Sequence, residues 1–287
     1  MLARRGTTLV ELMVALVLAA IVLGAATGTF ARQRRGASDH ASRARAESQI
    51  RAALGELQVA LAGVTPSAGD LSPGEARDTA MQLRTAVGSA VACDSAAGQA
   101  IVAANDTSAT RTSGFASSPR MGDTLWWRVV GDSSWTARRI AVVATTTGTC
   151  AMAGATPQTL LRLAFVTPDT VPRGVPLRVT RQERLSFYHA SDGSWQLGLS
   201  EWSDVLHSFV PPQPVAGPFR IVAPGGARTG MRYFDAGGAE LSVGGAAVPV
   251  SSVARVRFTV VAPFGQSGGL PGAYRRDSLD VALGHGP

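Results

Sequence analysis

The chain has 287 residues, a formal net charge of +7 and a hydrophobic fraction of 45%. This length allows one large domain or two small ones, and all of the basic residues are arginine. The two cysteines and four histidines form no CxxC motif and no Cys/His cluster, so the composition argues against a zinc or similar metal site.

The N-terminal segment joins a short basic leader, MLARRG, to an apolar run of about 25 residues at positions 7–31. At about 1.5 Å per helical residue, this run is long enough to span a bilayer with some tilt. Its one acidic residue is Glu11. Because a carboxylate at the centre of a membrane helix costs about 2.5 to 3.5 kcal/mol, an acidic residue in such a run points to a function.

Three interpretations of this segment compete. An ordinary secretory signal peptide would use Arg4 and Arg5 as its basic region and a cleavage site near residues 24–28. Its apolar region would contain about 7 to 15 residues, whereas this run is longer and contains Glu11. A plain membrane anchor would account for the length of the run, but for neither Glu11 nor Gly6. The third interpretation rests on the residues around Gly6.

Gly6 and the residues that follow it, TTLVELM, closely resemble the cleavage and methylation motif of type IV prepilins. In that family, glycine ends the leader and glutamate is the fifth mature residue, and Gly6 and Glu11 occupy these positions here. The resemblance implies that prepilin peptidase cuts after Gly6 and methylates the new N-terminus on Thr7. It also implies that Glu11 pairs with the N-terminal amine of a neighbouring subunit during fibre assembly. Thr7 stands where the family usually has phenylalanine or methionine.

The chemistry of Glu11 agrees with a role in assembly. Alone in lipid the carboxylate is an uncompensated charge, whereas beside an amine it forms an ion pair whose disruption costs several kcal/mol. Such pairing would disfavour the isolated subunit and favour the assembled state. The alternative is a glutamate near the membrane surface whose carboxylate reaches the cytoplasmic headgroups.

The arginines around the apolar run give conflicting signals about its orientation. Arg4 and Arg5 favour a cytoplasmic N-terminus, but Arg32, Arg34 and Arg35 follow the run closely. A dedicated leader of the prepilin type would override this count. We therefore expect a single pass through the inner membrane, with the N-terminus in the cytoplasm and the following domain in the periplasm before it joins a fibre.

The helix is predicted to continue over residues 32–64, which contain no proline, and to end before Pro66. Gly24, Gly28 and Gly36 are positions where it could weaken or bend. Apolar residues recur in the later part at alternating spacings of four and three, which predicts a stripe that packs against a globular domain. The residues of this stripe are Ile50, Leu54, Leu57, Leu61 and Val64.

Six arginines lie between positions 32 and 51, against Asp39 and Glu47. This cluster could attract nucleic acid, anionic lipid headgroups or the acidic faces of neighbouring subunits, or it could be a solvated helix face. Aromatic residues that would stack on bases are missing from it, so nucleic acid is an unfavoured partner.

Beyond Pro66 the pattern predicts short strands separated by turns rich in glycine and proline. Residues 124–131 and 136–144 flank a turn and predict one hairpin. Residues 185–190 and 194–199 flank an Asp-Gly turn signal at 191–193 and predict a second hairpin. Further strands are expected at residues 160–166, 219–222, 230–234 and 253–261. Such spacing favours an antiparallel, mostly β domain on one long helix.

Cys93 and Cys150 are the two cysteines of the chain. If the segment after the membrane is exported, they lie in an oxidising compartment where a disulfide is expected. A Cys93–Cys150 bridge would close a loop of about 58 residues and contribute about 4 kcal/mol in the chain-entropy model. Two free, distant thiols are the alternative.

The sequence contains no recognisable catalytic set. Residues 131–133 lie in a predicted hairpin turn without the glycines of a serine-hydrolase motif, and residues 224–230 lack the lysine of a phosphate loop. Asp277 and Asp280 do not by themselves define a calcium site. The histidines are scattered along the chain, at His40, His189, His207 and His285. We therefore expect neither an enzyme nor a bound cofactor.

The C-terminal part carries a second, looser resemblance. Residues 230–238 (GMRYFDAGG), 250–262 (VSSVARVRFTVVA) and 275–284 (RRDSLDVALG) resemble the larger minor pilins of type IV pili and the J-type minor pseudopilins of type II secretion. Those proteins show an aromatic-Asp-Gly turn, a valine-rich penultimate strand and a closing strand. The resemblance implies a minor component of a fibre.

Together these observations predict an α+β, pilin-like fold. We expect a leader at residues 1–6, a transmembrane and assembly half of the helix at 7–31, an amphipathic half at 32–64 and a β-rich globular domain at 65–287. The expected function is that of a minor pilin-like subunit that initiates or caps a type IV pilus. The alternatives are a minor pseudopilin of type II secretion or, in a different class, a membrane-anchored exported binding domain or enzyme. The expected partners are prepilin peptidase and other major and minor pilins or pseudopilins.

Overall fold

The computed structural model describes residues 9–72, 76–104, 112–129, 131, 134–222, 226–241, 248–264 and 273–284. Within these residues one long helix, α1, precedes a series of antiparallel β-strands. The predicted α+β architecture, with a long N-terminal helix and a β-rich domain, is confirmed.

Helix α1 spans Leu9–Leu61, a run of 53 residues without a break. The glycines at positions 24, 28 and 36, where we expected the helix could weaken, all belong to this continuous run. The helix ends at Leu61 and not at the predicted Val64, because Gly63 adopts a φ of 77°, the left-handed conformation that terminates helices. A short 3₁₀ helix, Pro66–Ala68, follows.

Seventeen strands lie in the described part of the chain. In chain order they are β1 (Ala80–Val91), β2 (Ala96–Ala97), β3 (Gln99–Ala103), β4 (Ser113–Phe115), β5 (Thr124–Trp127), β6 (Thr136–Arg139), β7 (Val142–Cys150), β8 (Gly154–Ala164), β9 (Thr170–Val171), β10 (Pro176–His189), β11 (Trp195–Ser203), β12 (Ser208–Phe209), β13 (Gln213–Phe219), β14 (Gly230–Phe234), β15 (Glu240–Leu241), β16 (Arg255–Pro263) and β17 (Tyr274–Ala282). A second 3₁₀ helix, Val250–Ser252, precedes β16.

The strands form one large sheet and three smaller ones among the described residues, and every pairing is antiparallel. The large sheet has the order β12-β11-β10-β1-β4, with β13 added to β11, β5 added to β10 and β6 added to β5. A four-stranded sheet has the order β15-β14-β16-β17, a three-stranded sheet has the order β3-β8-β7, and β2 pairs with β9. These sheets form the β-rich domain that follows the helix.

The long strands β1 and β10 form the centre of the domain. They pair from Ala80 opposite Ser186 to Val91 opposite Pro176, so the chain leaves β1 and returns to β10 at the same end of the ladder. The segment between them, residues 92–175, is therefore an insertion at that end. We call this segment the distal lobe.

Both predicted hairpins are present. Strand β5 pairs with β6, and β10 pairs with β11 around a turn in which the Asp192 carboxylate accepts the backbone N–H of Ser194. The predicted strand at 136–144 is wrong in one respect, since it is two strands, β6 and β7, that belong to different sheets. The break occurs at Ile140, which is fully buried and whose N–H donates to the Asp123 carbonyl.

The predicted strands nearer the C-terminus correspond to observed ones, with shifted ends. The strand expected at 230–234 matches β14, and that at 253–261 corresponds to β16. The strand expected at 160–166 is the end of the longer β8. The strand expected at 219–222 is wrong in its bounds, because β13 runs from Gln213 and ends at Phe219. Beyond that end Val222 makes only an isolated bridge to Arg228.

A first core packs α1 against the sheets. The predicted stripe is confirmed, since Ile50, Leu57, Leu61 and Val64 are buried and Leu54 is partly buried. Three alanines that the spacing argument omitted, Ala46, Ala53 and Ala60, are buried on the same side. Their partners come from several strands and include Leu83, Leu185, Phe187, Leu197, Phe219, Tyr233 and Phe258. We call this cluster the helix core.

A second core fills the distal lobe and contains no residue of α1. Along β10, Leu185 belongs to the helix core, whereas Leu177 and Val179 belong to this lobe core. Arg178 lies between those two residues, and its guanidinium donates to the carbonyl of Gly63, just past the end of α1. The distal lobe therefore extends beyond the C-terminal end of the helix.

A disulfide joins Cys93 and Cys150, with an S–S distance of 2.09 Å and a Cα–Cα distance of 4.9 Å. The predicted pairing is confirmed, and it closes the distal lobe where β7 ends. The bond lies in a small apolar cluster with Ala103 and Leu160. In the chain-entropy model, closing a loop of this length adds about 4 kcal/mol to the free energy of unfolding.

A buried ion pair fixes the C-terminal end of α1. Asp70 is 1% exposed, and one of its carboxylate oxygens accepts the N–H of Thr65 at 2.9 Å and the Arg178 guanidinium at 2.7 Å. Arg178 also donates to the Gly63 carbonyl at 2.8 Å. Arg84 donates to the Gly69 carbonyl, and burial lowers the pKa of its guanidinium although the Asp70 charge partly offsets this. The end of the helix is thus tied to β1 and β10.

Replacing Arg178 with methionine tests this junction. We expect Arg178→Met to lower the free energy of unfolding by about 3 to 5 kcal/mol, because it removes the cation that is hydrogen-bonded to the buried Asp70 carboxylate. The matched control is Arg257→Met, which breaks the exposed Arg257–Asp280 pair. This variant should lower the free energy of unfolding by no more than about 1 kcal/mol. Urea unfolding of both variants measures the difference, and equal losses would contradict the role of the junction.

Candidate functional site

The first half of α1 protrudes from the domain. Every residue of positions 9–35 is exposed. Its large apolar side chains have exposed fractions between 54% and 76%: Leu9, Val10, Leu12, Met13, Val14, Leu16, Val17, Leu18, Ile21, Val22, Leu23 and Phe30. An apolar surface of this size is strongly unfavourable in water, so this half of the helix requires an apolar environment.

The length and composition of this half suit a lipid bilayer. In the part of the chain that the structure describes, α1 is the one helix long and apolar enough to cross a membrane, with a mean hydropathy of 2.6 in its most apolar window. Residues 9–31 extend over roughly 34 Å at about 1.5 Å per residue, and the hydrocarbon core of a bilayer is about 30 Å thick.

Two threonine hydroxyls of the apolar half donate to backbone carbonyls of the same helix. The Thr27 hydroxyl lies 2.9 Å from the Leu23 carbonyl, and the Thr29 hydroxyl lies 2.9 Å from the Ala25 carbonyl. Such bonds from a hydroxyl to the preceding turn remove most of the cost of burying it in lipid. Between positions 9 and 31, Glu11 is the one ionisable residue, on the exposed surface of the first described turn.

Three contacts fix the direction of the helix at the membrane-proximal side of the domain. The Gln49 side-chain oxygen accepts the N–H of Gly217 at 2.9 Å, and the Arg43 guanidinium lies 5.3 Å from the centre of the Phe264 ring. Glu47 forms an ion pair with Arg275 of β17. Because α1 is unbroken, these contacts and the helix core also determine where the apolar half points.

A shallow groove of about 390 Å³ separates this part of α1 from the domain. It is lined mainly by small and polar side chains, with Arg45 as its one charged residue among the described lining. In the described ranges of the chain, no group of three His, Cys, Asp or Glu residues could hold a metal ion.

The structure separates the predicted site residues. Gly6 and Thr7 lie outside the described residues, whereas Glu11 is on the exposed face of α1 and Cys93 and Cys150 are bonded in the distal lobe. Sequence reasoning missed Gln49, because a single glutamine in a polar helix carries no signal of the backbone group that it will contact.

Comparison with known proteins supports the interpretation of the N-terminus. Residues 1–27 match the family model described as the prokaryotic N-terminal methylation motif. This motif is the signature of type IV pilins and pseudopilins, so the predicted resemblance is confirmed over these residues. Searches of curated proteins and of solved structures returned no significant match.

The motif has three direct implications. It implies processing by prepilin peptidase and assembly with other pilins. Together with the single apolar helix it indicates membrane anchoring. The family that carries this motif is structural rather than enzymatic.

A pair of valines on α1 tests the membrane role of its first half. Val17→Asp should reduce the fraction of the chain that resists carbonate extraction from membranes, because an aspartate inside a bilayer costs about 2.5 to 3.5 kcal/mol. Val59→Asp is the matched control, since Val59 is 72% exposed on the same helix but outside the apolar half. If both variants are extracted equally, the apolar half does not lie in the membrane.

Proposed function

We propose that the chain is a minor pilin-like subunit of a type IV pilus, processed by prepilin peptidase after Gly6. The observation that carries this proposal is the methylation motif over residues 1–27, which leads directly into the exposed apolar half of α1. The motif provides for cleavage and methylation, and the exposed helix provides the surface that a bilayer or neighbouring subunits would cover.

The processing step would create an amine with which Glu11 of a neighbouring subunit could pair. Cleavage after Gly6 gives Thr7 a free amine, and methylation keeps that amine basic. A Glu11 carboxylate beside the amine of a neighbouring subunit would form an ion pair in a low dielectric. This pairing would favour the assembled fibre over the isolated subunit in the membrane.

The domain organisation follows from the same proposal. Residues 1–6 would be the leader, 7–31 the transmembrane and assembly half, 32–64 the amphipathic half and 65–287 the globular domain. The N-terminus would lie in the cytoplasm and the globular domain in the periplasm until the subunit enters the fibre. The oxidising periplasm suits the Cys93–Cys150 disulfide.

The shape of the domain favours a minor subunit at the end of a fibre. The distal lobe extends past the C-terminal end of α1, the side away from the membrane. In a fibre whose subunits stack along their helices, a bulky lobe there would occupy the space of the preceding subunit. A subunit that initiates or caps the fibre has no preceding subunit, so it can accommodate the lobe.

The second candidate is a minor pseudopilin of type II secretion. It is supported by β14, β16 and β17, which lie side by side in one sheet and carry the three C-terminal segments that resemble both J-type minor pseudopilins and the larger minor pilins. Both candidates share the same leader, cleavage site and assembly mechanism. Deleting the gene separates them, because loss of surface pili with normal protein export indicates the pilus, and the reverse indicates the secretion system.

Mass spectrometry of the mature N-terminus tests the proposal. We expect a chain that begins at Thr7 and carries an N-methyl group. An intact Met1, or a chain that begins near residue 26, would overturn the assignment. The first result would favour a plain membrane anchor and the second a secretory signal peptide, either of which fits an exported binding domain or enzyme.

Substitution of Glu11 tests assembly separately from processing. Glu11→Ala should leave cleavage after Gly6 largely intact but reduce the amount of the subunit in sheared fibres at least about tenfold, because an ion pair in low dielectric contributes several kcal/mol. Glu56→Ala is the control, since Glu56 is a carboxylate on the domain-packed half of the same helix. Normal incorporation of Glu11→Ala would remove the role assigned to Glu11.

A further inference from the structure

The sheet edges of this domain differ in how well they are protected against pairing with another chain. Natural edge strands are blunted by shortness, charge, proline or a covering segment. Here β4, β12 and β15 are two or three residues long, β13 contains two prolines and β6 contains two arginines. Strand β17 is long, but its exposed residues include Arg275, Arg276, Asp277 and Asp280.

Strand β7 has none of these protections among the residues that the structure describes. It is nine residues long, VVATTTGTC, with no charged residue and no proline. Six of the nine residues are β-branched, which favours extended structure. Its exposed side chains are Val142, Thr145, Thr146, Thr147 and Thr149.

The edge of β7 is open in the described part of the chain. Strand β7 pairs with β8 on one side, and no other described strand pairs with it. The opposite edge of the same sheet, β3, is covered, because the N–H of Cys93 donates to the Ile101 carbonyl and Asp94 bridges Ile101. Among the described residues, the sheet therefore presents one row of backbone groups, along β7, that no other strand pairs with.

We propose that two copies of this chain pair antiparallel through β7. The register with β8 is regular from Val142 to Gly148 and shifts only beyond Gly148. The midpoint of this regular segment is Thr145, so a two-fold axis there places Thr145 opposite Thr145. The same register places Val142 opposite Gly148 and Val143 opposite Thr147.

The side chains in this register are complementary. Threonine pairs are favourable across antiparallel strands, because their hydroxyls can hydrogen-bond to each other. Val142 is 51% exposed, and opposite it Gly148 has no side chain of its own to obstruct it. The Leu160 side chain lies 3.0 Å from the position that a Cβ of Gly148 would take, so Val142 of the second copy would approach Leu160.

Charge favours a second copy of this chain over a charged partner. A strand without charged residues cannot form ion pairs with an acidic or basic segment. A second copy of the same strand is equally neutral. The nearest charge on the sheet is Arg162, opposite Ala144 on β8. In the paired sheet the two Arg162 residues would be three strand spacings apart, about 14 Å, which exceeds the Debye length of about 8 Å at physiological salt.

The pairing would be weak and reversible, because seven residues from each copy bury less than the roughly 1,000 Å² typical of stable interfaces. It would leave α1 free, since β7 lies in the distal lobe beyond the helix end. The inference goes beyond the proposed function and does not depend on the methylation motif.

A charge swap at Thr145 tests the pairing in the purified full-length chain in detergent. Thr145→Lys and Thr145→Glu each place two like charges opposite one another, so each variant alone should weaken dimerisation in sedimentation velocity at least tenfold. An equimolar mixture of the two variants should recover the dimer. The control is Thr159→Lys, an exposed threonine on the same face but on the central strand β8, which should dimerise like the unmodified chain.

Three results would overturn the pairing. These are a monomeric unmodified chain at all concentrations, Lys and Glu variants that dimerise normally, and a mixture that fails to recover the dimer. If the charged variants do not fold, Thr145→Cys replaces them, since a short bismaleimide should join two copies at Thr145→Cys and not at Thr159→Cys. Equal or absent crosslinking at both positions would also overturn the pairing.

Discussion

The packing of α1 against the sheets between Ala46 and Val64 is the interaction on which the rest of the structure depends. A single unbroken helix has one face of its second half buried by its own domain, whereas its residues 9–35 are all exposed. Because an α-helix is stiff over this length, burial of one half also sets the direction of the other. The buried alanines 46, 53 and 60 allow the helix to lie close to the strands, which strengthens this constraint.

Apolar packing alone would hold α1 against the domain without fixing its position along its axis, because the hydrophobic effect is non-directional. Two polar contacts supply that position. Gln49 accepts the Gly217 N–H near the beginning of the packed half, and Arg178 donates to the Gly63 carbonyl just beyond its end. Sliding the helix by one residue would break both bonds.

The features that could be predicted from sequence are local ones. The motif around Gly6, the apolar stripe from Ile50 to Val64 and the hairpin around Asp192 each lie within a short window, and each was found. Strand β1 was missed, because its partner β10 lies about 90 residues later and the apolar alternation of β1 is broken where the register shifts between Ala86 and Gly88. The distal lobe was missed with it, since an insertion becomes visible only once the strands that flank it are known to pair.

The two cores are not independent. Strands β1 and β10 contribute to both, with Leu83 and Leu185 in the helix core and Val87 and Val179 in the lobe core. A domain joined through a linker could change its angle to the helix, but a lobe that shares two continuous, paired strands with the helix core cannot do so without breaking their ladder. The surfaces of the distal lobe therefore keep a fixed position relative to α1. If the helix anchors the subunit, this rigidity means that the position of the helix also determines the position of the distal lobe.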